Sequence, residues 1–125
     1  VKKPLKHRED IELLVNEFYN KVQADPVLSP IFNDVAKVHW DEHLPRMYDF
    51  WQDLLLGTNL YHGRPYPKHH VLPIDQSHFA RWLELFYATL DTYFEGTRAE
   101  EARFRAGRIA LRFQFNMGLI TLSDS

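Results

Sequence analysis

The chain has 125 residues, the usual size of one domain, so a single domain over residues 1–125 is expected. Basic residues (15) nearly balance acidic ones (17), and a net charge of −2 leaves no excess to neutralise phosphates, which argues against a nucleic-acid partner. Cysteine is absent, which excludes disulfides, thiolate metal sites and cysteine nucleophiles. The opening VKKPLKHRED carries no apolar run, and no stretch approaches the ~18 apolar residues that span a membrane. A cytoplasmic protein without membrane contact is expected. Aromatic residues reach 14% and histidines number seven, more than a small helical domain needs to close its own core.

In chain order, Ile11, Leu14, Val15, Phe18 and Val22 form a helical stripe over 10–25. ADPVLSPIF (24–32) ends it, because Pro26 and Pro30 leave room for short turns alone. From 39 to 57, Trp40, Leu44, Met47, Phe50, Trp51, Leu54 and Leu55 recur at spacings of three and four, and Gly57 is a natural stop. Pro45 sits inside this run, so the helix is expected to begin near Glu42 or to bend at His43. GTNLYHGRPYPKHH (57–70) has no period and reads as a long loop, which in a compact domain suggests the presentation of a side chain. Asp75 is a plausible N-cap for a helix carrying Phe79, Trp82, Leu83, Phe86 and Leu90, and Gly96 breaks that run. A last helix over about 97–119 places Ala102, Ala106, Ile109, Ala110, Phe113 and Met117 on one face. No period-two pattern appears, so the class is all-α.

Five pieces, in order, resemble the truncated haemoglobins, and among these the third group. They are EFYNKVQADPVLSPIF (17–32), WDEHLPRMYDFWQDLLLG (40–57), YHGRPYPKHHVLPI (61–74), HFARWLELF (78–86) and RIALRFQ (108–114). The first two groups carry paired glycines at helix ends; this chain has no Gly-Gly, in keeping with the third. The resemblance implies a truncated globin fold, a two-over-two helical sandwich around haem b.

It also implies a site. His69, 13 residues before Trp82, matches the iron ligand; His70 would point away from the iron, and His78 is not the ligand. Lys68 and Arg46 are candidates for the haem propionates. Tyr19 matches the distal tyrosine, Trp82 the tryptophan near the bound ligand, and His43 the distal histidine, pointing in or swinging to solvent as a gate. Met47 and Trp51 share a helical face with His43. Phe32 matches the aromatic residue that packs on the haem ring.

The implied function is binding of O2 and other diatomic ligands (NO, CO), with peroxide a further candidate, at a pentacoordinate or weakly blocked iron. Two donors, Tyr19 and Trp82, would hold O2 too tightly for transport, which suits detoxification of NO or reactive oxygen. No flavin or nucleotide motif is present, so electrons would come from an unidentified reductase acting on a monomer. The alternatives are a haem-based sensor or O2 store without turnover, and a haem-free helical interaction domain.

Overall fold

The structure, a computed structural model, describes residues 2–35, 37–63 and 72–120. Helix α1 (Arg8–Ala24) buries Ile11, Leu14, Val15, Phe18 and Val22, the stripe read from the sequence. The Asp10 carboxylate reaches back to accept the N–H groups of Lys6 and of the N-cap His7 at 2.9 Å, which fixes the chain where it enters the helix. At the far end, Asp25 accepts the N–H groups of Val27 and Leu28, both at 3.0 Å, and turns the chain. One π-helical turn, Ile31–Val35, follows where short turns alone were expected.

Helix α2 (Trp40–Leu56) runs through Pro45. The helix starts at Trp40, close to the expected start near Glu42, and His43 N–H donates to the His39 carbonyl at 2.8 Å. Proline removes one backbone donor, and this position leaves the carbonyl of exposed Asp41 to water, so the break is local. Gly57 stops α2 in the left-handed region at φ 77°. Asp75 caps α3 (Gln76–Tyr93) by accepting the Ser77 N–H at 2.9 Å. Helix α4 (Thr97–Asn116) ends three residues earlier than read, with Gly118 at φ 77° just beyond it.

Helix α1 packs on α2 and α3, and α4 packs on both of those, which closes a two-over-two sandwich. Ala99, Ala102, Ala106 and Ala110 form the buried face of α4, and their small side chains let it approach closely. At the centre, buried Phe86 stacks between Trp51 (4.9 Å, 23°) and Trp82 (5.7 Å, 11°). Phe18 meets Phe86 edge-on at 5.2 Å. Such pairs each contribute about 0.5–1.5 kcal/mol beyond area burial. Among the described residues no strand forms; one isolated bridge joins Lys3 to Phe94.

Candidate functional site

The excess of aromatic residues is used on a cavity of about 640 Å³ between the helices. Tyr19 enters it from α1, and Leu28, Ile31 and Phe32 from the following corner. His43, Met47 and Trp51, one turn apart on α2, line another wall, as their spacing predicts. Phe79 and Trp82 come from α3, and Ile109, Ala110 and Phe113 from α4. Exposed Lys37, His39, Glu42 and Arg46 stand at its edge. His69, His70 and Lys68 lie outside the described residues.

Tyr19, His43 and Trp82 therefore meet in one space although three different helices carry them. Tyr19 is 5% exposed, and burial pushes its phenol well above the ordinary range, so it stays protonated and can donate. Its ring stands edge-on to the His43 ring at 5.2 Å. His43 faces inward, with Nε2 buried. Trp82 stands at 88° to Phe18, 5.6 Å away, so its indole plane is set by rings on two sides.

Sequence reasoning missed two residues. Trp40 packs behind the distal pair: its ring is 5.4 Å from Tyr19 and 5.6 Å from His43, is stacked on Phe32 at 5.7 Å, and its indole N–H donates to Asn33 Oδ1 at 3.1 Å. Its position three residues before His43 on the same helix was the available signal. Tyr61 also lines the cavity. Asp53 places it, accepting the N–H groups of Leu60 (2.9 Å) and Tyr61 (2.8 Å) just after α2, and Phe50 packs on its ring at 5.3 Å.

His78 reaches the cavity wall too, but its Nδ1 is engaged at the start of α3. The Asp75 N–H donates to it at 3.1 Å, and the Asp75 carboxylate lies 3.2 Å away.

A two-over-two helical sandwich that encloses an apolar, aromatic cavity with imidazoles and donors on its walls is the build of a protein that shelters a flat prosthetic group. The family model of the bacterial-like globins matches residues 6–112. A group 3 truncated haemoglobin of Campylobacter jejuni is 37% identical over 112 residues, covering 86% of this chain and 88% of that protein. The crystal structure of a group III truncated haemoglobin from the same organism superposes with a TM-score of 0.85 at 35% identity, covering all of both chains (100% and 100%). A group II truncated haemoglobin of Bacillus anthracis gives 0.72 at 31% identity over 90% of each chain. The chain belongs to the bacterial-like globin family, and its likeness to the third group of truncated haemoglobins agrees with the sequence reading. Haem-based binding of diatomic gases such as O2 is the property of that family.

Proposed function

We propose that the cavity holds haem b with His69 as the iron ligand, and that the protein uses its bound diatomic ligand for chemistry, above all NO dioxygenation, rather than for bulk O2 transport. The observation that carries this reading is the convergence of Tyr19, His43 and Trp82 on one apolar cavity. Its volume of about 640 Å³ falls within the ~300–1,000 Å³ typical of cofactor pockets. The wall chemistry fits haem: rings and aliphatic groups for the macrocycle, with Met47, Phe32 and Trp51 among them, and exposed Arg46 at the edge for a propionate. Lys68 is proposed for the second propionate.

Bound there, haem supplies an iron position at which a diatomic ligand gains negative charge. Tyr19 and Trp82 then act as donors to that ligand; the indole N–H can only donate, which suits an anionic oxygen. A hydrogen bond to a charged group contributes roughly 1.5–3 kcal/mol, or about ten- to hundred-fold in a dissociation constant. Two such bonds retain O2 rather than release it, which favours reaction with NO or the handling of peroxide. NO dioxygenation joins NO and O2 with one electron to give nitrate. The same reading makes the protein a cytoplasmic monomer that draws this electron from a separate reductase.

His78 Nδ1 sits between the Asp75 N–H (3.1 Å) and the Asp75 carboxylate (3.2 Å) at the start of α3; the choice of His69 as the ligand rests on its place 13 residues before Trp82. The purified protein is expected to show an intense haem Soret band that His69→Ala abolishes and that His70→Ala and His78→Ala retain. Loss in His78→Ala with retention in His69→Ala would reassign the ligand. Nitrate formation from NO and O2, sustained by an added reductant, separates turnover from a sensor or store, which would bind without it.

A further inference from the structure

The outer side of α4 does not look like a solvated helix face. Its alanines at 99, 102, 106 and 110 face the core. On the opposite side Phe104, Arg108, Leu111 and Phe115 follow at spacings of four, three and four, which makes one narrow stripe. Phe104 is 63% exposed, Leu111 42% and Phe115 40%. These are three of the five exposed large hydrophobic residues among those described, on a face where polar side chains are expected.

Glu100 and Glu101 stand one turn before Phe104, and beyond them the charge along the stripe is basic. Residues 103–116 hold four arginines and no carboxylate, in a chain whose net charge is −2. Arg103 is paired with Asp91, and Arg105 reaches Glu101 at 3.4 Å. Arg108 lies over the Phe104 ring at 5.8 Å. Among the described residues neither Arg108 nor Arg112 has a carboxylate partner. An apolar, aromatic centre with arginine and no lysine around it is the composition of a protein interface. A second copy of the same stripe would set arginines against arginines, which disfavours self-association. The complementary surface is acidic with an apolar centre.

The inner side of the same helix supplies Ile109, Ala110 and Phe113 to the cavity. A protein docked on the stripe therefore sits about one helix diameter, ~10 Å, from the cavity. We propose that this stripe docks an acidic redox protein, a reduced flavoprotein, that delivers electrons to the site. The donor flavin loses one electron and the ferric haem iron gains it, with no bond made or broken. The delivery rests on the haem reading above; the docking does not.

The test uses a fluorescently labelled acidic flavodoxin titrated with the full chain, followed by anisotropy, and the same flavodoxin in reduced form as electron donor in stopped flow. The parent should bind it with an affinity that falls as salt rises. Arg108→Glu/Arg112→Glu and Phe104→Ser should each weaken binding and slow reduction by about ten-fold or more, while reduction by free reduced flavin is unchanged. Binding that is absent, or equal in parent and variants, would overturn the docking surface. So would variant-sensitive binding to phosphatidylserine vesicles, or variant-sensitive dimerisation, with flavodoxin binding unaffected. Variant-sensitive flavodoxin binding by a chain without a Soret band would uphold the docking and refute the haem reading alone.

Discussion

Tyr19 owes its place to its neighbours. Phe32, Trp40 and His43 surround its ring at 5.2–5.9 Å, so the phenol has little freedom to turn away from the cavity. Tyr19→Phe removes one hydroxyl at nearly constant volume and is expected to raise the O2 dissociation rate about ten-fold or more. Trp82→Phe should act in the same direction. Both donors serve one ligand, so the double variant should show less or more than the sum of the two effects. Stopped-flow O2 release measures this, and unchanged rates in both single variants would reduce Tyr19 and Trp82 to packing residues. His43 lines the cavity with its Nε2 buried, and an inward ring there is expected to narrow access. CO association should be faster in His43→Ala, and faster in Trp40→Ala, because Trp40 is the ring that backs His43. CO needs little hydrogen bonding and so reports access; a parent-like rate in His43→Ala would show that His43 does not gate.

Between elements, the tie of greatest consequence is Arg81 to Asp25. It joins α3 beside Trp82 to the corner that supplies Leu28, Ile31 and Phe32. Asp25 is 3% exposed, and Arg81 Nε donates to its Oδ1 at 2.6 Å. Burial alone would raise the Asp25 carboxyl, but Arg81 and the N–H groups of Leu28 and Val27 hold it below the usual value. A depressed folded-state value gives stability that is present above the unfolded value and is lost as pH falls through the folded one. Arg81→Met should therefore lower stability near neutral pH, because it leaves the buried Asp25 carboxylate without its charged donor. The difference between parent and variant should shrink on acidification as Asp25 takes up its proton. Urea unfolding across pH checks this, and a pH-independent difference would show that Arg81 acts by packing. Within α2, Pro45→Ala returns a donor to the Asp41 carbonyl. It should stabilise the chain by up to ~3 kcal/mol and slow CO association by stiffening the turn that carries His43.

For the whole molecule, the cavity makes stability depend on what fills it. Haem that binds the folded chain alone stabilises it by mass action, ~4 kcal/mol when free haem is a thousand times its dissociation constant. His69→Ala should consequently melt at a lower temperature than the parent, and added haem should restore much less of the difference than it does for a haem-depleted parent. Differential scanning calorimetry at several haem concentrations reads this directly; equal responses would remove His69 from the iron. Among the described residues no helix is long and apolar enough to cross a membrane.

The helices were legible in the sequence because the hydrophobic period is a local property. The stripe on α1, the stop at Gly57, the cap at Asp75 and the shared face of His43, Met47 and Trp51 each depend on residues within a few turns of one another. Tyr19, His43 and Trp82 were assigned through family resemblance, and His69 and Lys68, outside the described residues, rest on it still. Tertiary structure decided what lies between helices. It carried α2 through Pro45, because tolerance of one missing bond depends on whether water can take the freed carbonyl. It placed Trp40 behind the distal pair and set Phe86 between Trp51 and Trp82, contacts between residues far apart in the chain that no period encodes. It also gave the surplus of aromatic residues its explanation, since only the packing of four helices against one another opens the cavity those rings line.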